Sequence, residues 1–156
     1  MPEIPANTVE MINARLGGYD QSIGLRFVSA TVEEFIAELR VADRHLQPYG
    51  LVHGGVLSGM IESVCSTAAA VNVLAKGESA VGLENNISFV RAARSGLLRC
   101  TARPVVRGRR SHVWEGQIHD GNGRLVASGR VRMLVLEPGA SADGETVALR
   151  TEPGPP

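Results

Sequence analysis

The stretch Gln47 to Ser66, QPYGLVHGGVLSGMIESVCS, leads into a segment, Gly54 to Lys76, that holds no proline and whose Leu57, Met60, Ile61, Val64, Ala68 and Val71 recur at three- and four-residue steps. That spacing predicts one long helix. Its other positions are mostly Gly, Ala, Ser and Val, with Glu62 the only carboxylate before the closing Lys76-Gly77-Glu78, which suits a helix buried on most sides.

Upstream the period changes. Phe35, Ala37, Leu39 and Val41 alternate with Glu34, Glu38 and Arg40, the pattern of a half-buried strand, and two strands over 23–30 and 33–42 form a hairpin. Asn7 and Glu10 mark the start of a short helix over 7–17, with Val9, Ile12 and Leu16 in helical spacing and Gly17-Gly18 as its stop. Downstream, strands over 80–91, 97–107, 111–120 and 124–136 are separated by ARSG, RGRR and the DGNG turn at Asp120 to Gly123, and read as an antiparallel meander. A hairpin, a long apolar helix and a run of strands together imply an α+β fold in which a curved antiparallel sheet wraps the helix.

The length of 156 residues and 44% hydrophobic content fit one domain with a real core, taken as residues 1–137. From Pro138 the chain turns to Pro, Gly and small polar residues, and 138–156 reads as a flexible tail. Sixteen basic residues balance sixteen acidic ones, so no global field favours nucleic acid or an anionic membrane. The N-terminus lacks the charge-then-apolar order of a signal peptide, and no apolar run is read as reaching the ~18 residues that cross a bilayer. A cytoplasmic protein is expected, with no nucleic-acid or membrane partner. Cys65 and Cys100 have no metal-ligand spacing and are read as free thiols, and no metal site is expected.

The chemistry concentrates at the helix start. First-turn N–H groups have no intrahelical acceptor and stand at the positive end of the helix dipole, so Gly54 and Gly55 suit a developing oxyanion, and a glycine lets a carbonyl approach the backbone closely. Glu62 shares a face with Ser58 and Ser66, a polar stripe on an apolar rod. A partly desolvated carboxylate there can act as general base or as nucleophile toward an acyl carbon. Taken singly, a histidine before a helix is commonly a cap and a helix glutamate commonly solvated; in combination they point to a site. Eight residues at ~1.5 Å each separate Gly54 from Glu62 by about 12 Å, too far to serve one carbonyl. Two helices packed antiparallel about a twofold axis would bring Gly54 of one chain to Glu62 of the other, so a dimer with two composite sites is expected.

The residues Gln47, His53-Gly54-Gly55, Glu62 and Ser66 closely resemble the hotdog-fold acyl-CoA thioesterases of the phenylacetate-degradation and 4-hydroxybenzoyl-CoA type, near the branch acting on 1,4-dihydroxy-2-naphthoyl-CoA. The likeness continues through VGLENNISFVRAARSG (81–96), RGRRSHVW (107–114) and HDGNGRLVASGRV (119–131). It implies a six-stranded sheet around the central helix, dimers pairing into a tetramer, and an enzyme that hydrolyses acyl-CoA, preferably aromatic, with no cofactor beyond the CoA of the substrate. It implies Glu62 as catalytic carboxylate, by water activation or a transient anhydride, and the Gly54 N–H as oxyanion donor. Gln47 would contact the thioester or the lytic water, Ser66 would stand beside the carboxylate, and His53 would shape the loop and assist the departing thiolate. Gly55 and Tyr49 are further substrate-binding candidates; Tyr49, Met60 and Val81 to Leu83 are expected to line the acyl pocket. Arg91 would bind CoA phosphate and Arg110 with Ser111 would lie near the nucleotide, although RGRR between strands is also what a solvated turn looks like; Arg107 and Arg109 are secondary candidates. Two other readings stand beside this one: an acyl-thioester hydratase on the same scaffold, and a non-catalytic acyl-CoA sensor.

Overall fold

The structure is a computed structural model that describes residues 3–150. Its helices are α1 (Thr8–Asn13), α2 (Gly18–Ile23) and α3 (Gly54–Leu74). The strands are β1 (Arg26–Ala30), β2 (Phe35–Arg40), β3 (Ser79–Phe89), β4 (Leu97–Arg107), β5 (Ser111–His119) and β6 (Leu125–Leu136), followed by two-residue strands β7 (Ser141–Ala142) and β8 (Glu145–Thr146). The first six strands form one antiparallel sheet in the order β1-β2-β4-β5-β6-β3. This is the α+β hotdog arrangement, a sheet wrapped around α3.

Period-two burial explains how the sheet grips the helix. Along β5 the positions His112, Trp114, Gly116 and Ile118 are buried while those between them stay part-exposed. Trp114 meets Phe35 of β2 edge-on, with ring centroids 6.2 Å apart. Opposite them α3 buries Leu57, Met60, Ile61, Val64, Cys65, Ala68 and Ala69. A close approach falls at Gly116, where a β-carbon would stand 2.8 Å from Ile61 Cγ2; Gly116 pairs with Gly129 of β6, so the sheet carries two side-chain-free positions side by side.

Several expectations need correction. The meander holds for β4, β5 and β6, but β3 pairs with β6 and forms the far edge of the sheet. The N-terminal helix stops at Asn13 because the Asn13 amide both donates to the Phe27 carbonyl (2.8 Å) and accepts from the Phe27 N–H (2.9 Å), tying the helix end to β1. Gly17, read as a helix stop, is the N-cap of α2, and Gly24 at φ 72° ends that helix, so the first strand starts only at Arg26. The helix α2 lies across α3: Tyr19 covers Gly59, where a β-carbon would stand 1.8 Å from its hydroxyl, and Ser63 Oγ donates to Asp20 Oδ1 at 2.5 Å. The described part of the tail carries the β7–β8 hairpin, and the rest of it, 151–156, lies outside the described residues.

The 21-residue α3 is, against the sequence reading, long and apolar enough to cross a bilayer. Its apolar face is instead packed against the sheet, where Met60, Ile61, Val64, Cys65, Ala68 and Ala69 are fully buried. Cys65 and Cys100 are free and buried. Burial pushes both thiols up, Cys100 to about 12, so neither is a ready nucleophile.

Candidate active site

Backbone hydrogen bonds fix the approach to α3. His45, fully buried, accepts the Ala42 N–H at Nδ1 (2.9 Å) and therefore donates from Nε2 to the Ile23 carbonyl (2.8 Å), which holds its ring in one tautomer. The His45 carbonyl in turn accepts the His53 N–H, and Leu46 bridges to Val52, so a short loop closes between them. Inside that loop Gly50, at φ 74°, donates to the Gln47 carbonyl, and the Gln47 N–H donates to the Leu51 carbonyl.

Gln47 also accepts the Tyr49 N–H with its Oε1. Only the amide oxygen can accept, so this contact leaves the Nε2 hydrogens for other partners. His53 is the N-cap of α3: its Nδ1 accepts the Gly55 N–H at 2.8 Å. Gly55 thus spends its N–H on the cap. The Gly54 N–H has no acceptor among the described residues, at the positive end of a 21-residue helix. Phe89, at the end of β3, presses its ring on the Gly54 α-carbon, where a β-carbon would stand 2.8 Å from Cζ.

These residues share a cavity of about 330 Å3 lined by Gln47, Leu57, Phe89, Arg91 and the Gly54 backbone, among others. The residues lining it offer three donors, the Gln47 NH2, the Gly54 N–H and the Arg91 guanidinium. Such a cavity suits a ligand rich in acceptors, a carbonyl or an anion.

Glu62 stands two turns further along α3. It is half-buried, accepts from Ser66 Oγ at 3.0 Å, and makes no ion pair among the described residues. Its Oε1 lies against Gly82 of β3, where a β-carbon would come within 2.6 Å. Ser66 also leans on Met133 Sδ of β6, the residue paired with Gly82, and Asn85 donates to the Ser58 carbonyl. The polar stripe Ser58, Glu62, Ser66 therefore runs along the flank of α3 beside the edge strand.

Within one chain the expected site residues fall into three places. Gln47, Gly54 and Arg91 meet in the cavity, with His53 and Gly55 at its helix cap. Glu62 sits about 12 Å along the helix axis from Gly54, with Ser66 one turn beyond it. Arg110 and Ser111 sit at the turn between β4 and β5, near the last turn of α3, where Arg107 reaches Asn72 Oδ1 at 2.9 Å. Arg107 also donates to the Val32 carbonyl and to Glu33, which commits it to the fold. Tyr49 is 85% exposed and is not among the residues lining the cavity, and Met60 is wholly buried in the core. Of the 81–83 segment, Gly82 meets Glu62 while Leu83 is half-exposed at a bulge.

Two residues at this site escaped the sequence reading. Phe89 could have been found from alternation, as an apolar residue beside Arg91 at the end of an otherwise polar strand edge. Arg94, which donates to the Tyr49 carbonyl at 3.1 Å and the Gly50 carbonyl at 3.5 Å, left no local signal because its partners are main-chain atoms 44 and 45 residues away. Among the described residues no cluster of three or more His, Cys, Asp or Glu side chains is gathered for a metal ion.

Comparison with known proteins adds an independent line. Residues 49–127 match the thioesterase superfamily. The Rv1847 protein of Mycobacterium tuberculosis, provisionally named an esterase, is 43% identical over 121 residues, covering 76% of this chain and 86% of that protein. Its solved structure superposes with a TM-score of 0.76 at 42% identity, over 78% of this chain and 98% of that one. The 1,4-dihydroxy-2-naphthoyl-CoA hydrolase of Escherichia coli is 36% identical over 133 residues, 83% of this chain and 95% of that protein. A Haemophilus influenzae thioesterase structure gives a TM-score of 0.82 at 28% identity, over 88% of this chain and 96% of that one.

Proposed function

The chain belongs to the thioesterase superfamily, and from that premise we propose that it hydrolyses acyl-CoA thioesters to the free acid and CoA, with aromatic acyl groups preferred. The observation that carries this reading is the pairing of a half-buried carboxylate, Glu62 held by Ser66, with a cavity lined by Gln47, Arg91 and the unpaired Gly54 N–H at a helix start. The likeness to a hydrolase of an aromatic acyl-CoA favours that substrate class.

In this scheme the thioester carbonyl enters beside Gly54, whose N–H stabilises the oxyanion, while the Gln47 amide donates to the thioester or orients the lytic water. Glu62 removes a proton from water as its oxygen bonds to the acyl carbon; collapse of the oxyanion breaks the C–S bond, and the thiolate takes up a proton to leave as CoA. Attack by the Glu62 carboxylate itself, giving an anhydride that water then opens, balances equally well. Ser66 steadies the carboxylate, and the His53 imidazole holds the helix start and faces the departing thiolate. Arg91 takes CoA phosphate.

The 12 Å between Gly54 and Glu62 requires a second copy. The free edge of β3 offers the surface: it is 11 residues long, with Leu83 50% exposed, Phe89 57% and the adjoining Val90 56%. An open apolar edge of that length is a template for pairing. Two β3 edges joined antiparallel bring the two α3 helices side by side, Gly54 of one beside Glu62 of its partner, and turn the Arg110-Ser111 end of the partner toward Arg91 of the first. Dimers associate further into a tetramer, in the cytoplasm where CoA esters are made and consumed.

Free-thiol release from benzoyl-, hydroxyphenylacetyl-, dihydroxynaphthoyl-, hexanoyl- and palmitoyl-CoA, run with wild type and Glu62→Ala together, tests the reading. Release that vanishes in the variant upholds it. Binding of CoA esters without any release would instead make the protein a sensor.

A further inference from the structure

We infer that Arg94 is a positioning residue that sets the direction in which Gln47 presents its amide to the cavity. Six other arginines among the described residues lie within ion-pairing distance of a carboxylate. Arg94 instead spends its guanidinium on two main-chain carbonyls, Tyr49 at 3.1 Å and Gly50 at 3.5 Å. No charge is neutralised by this contact, so what it fixes is the path of the loop.

The loop has one tight point. The Tyr49 N–H is accepted by Gln47 Oε1 and the Tyr49 carbonyl is accepted from Arg94, so the two peptide units of Tyr49 are held from opposite sides. Gly50 is at φ 74°, a conformation a free loop leaves readily. With both contacts made, Gln47 Oε1 is turned to the Tyr49 N–H and the NH2 end of the amide is left for the cavity, whose lining also includes Gly54 and Arg91. Without Arg94 the Tyr49–Gly50 peptide is held only by the Gly50 N–H on the Gln47 carbonyl; the turn loosens, the Tyr49 N–H in the preceding peptide drifts from Oε1, and the Gln47 amide is free to present its oxygen to an incoming carbonyl. A lone pair would then oppose a lone pair. The segment is otherwise well anchored, since Ala93 O accepts the Val52 N–H and Gly96 O accepts the Val41 N–H, so the loss of Arg94 acts on the loop and leaves the fold.

The kinetic part of this inference rests on the thioesterase reading, and one set of measurements separates the two. Arg94→Ala and Arg94→Lys are compared with wild type on benzoyl-CoA and on benzoyl-N-acetylcysteamine, which lacks the nucleotide phosphates. Arg94→Ala is expected to lower kcat about tenfold on both, the loss of one charge-assisted hydrogen bond, with KM changed by less than about twofold. Arg94→Lys recovers part of the rate. In a Gln47→Ala background Arg94→Ala costs less than about twofold, because the two act as a unit. A rise in KM confined to the CoA ester would make Arg94 a phosphate ligand and overturn the inference, as would full additivity with Gln47→Ala. Independently of turnover, amide hydrogen exchange at Tyr49 is expected to quicken about tenfold in Arg94→Ala; unchanged exchange also overturns it. A wild type silent on both thioesters would count against the hydrolase reading alone, and the exchange result would still decide Arg94.

Discussion

The Glu62 carboxylate lies directly over Gly82: a β-carbon there would come within 2.6 Å of Oε1, inside the closest distance such atoms keep. The contact is with the end of a flexible side chain, so an alanine at 82 is accommodated by moving the carboxylate rather than the strand. Gly82→Ala is therefore expected to leave the melting temperature within a few degrees of wild type while lowering thioester turnover about 10- to 100-fold, since an error near 1 Å in a catalytic group costs on that order. Thermal unfolding and thiol release on the same preparation check it. Equal activity in the alanine variant would show that the carboxylate position is not limiting.

Glu62 itself is the most expensive residue to lose. Glu62→Gln and Glu62→Ala are expected to reduce kcat at least ~10²-fold with a smaller change in KM, because the general base or nucleophile acts in the transition state rather than in binding. Steady-state kinetics on the preferred acyl-CoA decide this. A variant that keeps most of its rate removes Glu62 from the mechanism.

Much of this was legible in the sequence where local pattern and physics agree. The spacing of Leu57, Met60, Ile61 and Val64 announced the helix, and the alternation of Phe35, Ala37 and Leu39 announced the strand. The position of β3 was not legible, because pairing with β6 rather than β4 depends on a crossover that strand patterns do not encode. The same holds for Gly17, whose role as cap rather than stop follows from Asn13 being held by Phe27. At the site, an unusual composition at the helix start singled out Gly54 and Glu62 as candidates. Gly82 acts through close approach and Arg94 through main-chain partners, and neither leaves a mark in the neighbouring residues, whereas Phe89 could have been found from alternation.

His53 separates a capping role from a chemical one. His53→Ala removes the acceptor of the Gly55 N–H and is expected to cost about 1 kcal/mol of stability. His53→Asn restores a good N-cap acceptor, so both stability and turnover should return to within a few-fold of wild type if the imidazole serves chiefly to hold the helix start. A stable Asn variant with lost turnover would instead assign the imidazole to the leaving thiolate.

His112 gives the pH dependence of the fold. Its ring is buried on the inner face of β5, its Nδ1 has no partner among the described residues, and burial, with Arg107 and Lys76 nearby, pushes its pKa down from the usual value of 6.5. A histidine held below its unfolded pKa binds fewer protons in the native state than in the unfolded one, so the native state loses ground as pH falls. The contribution is fully present above about pH 6.5 and is lost progressively as pH drops through the lowered folded value. The melting temperature of wild type is thus expected to fall between pH 7 and pH 5, and that of His112→Gln to fall less over the same interval, even if the variant starts lower from imperfect packing. The comparison of slopes isolates His112 from the other histidines, which both proteins share. Parallel slopes in the two proteins would show that the buried imidazole does not set the acid sensitivity.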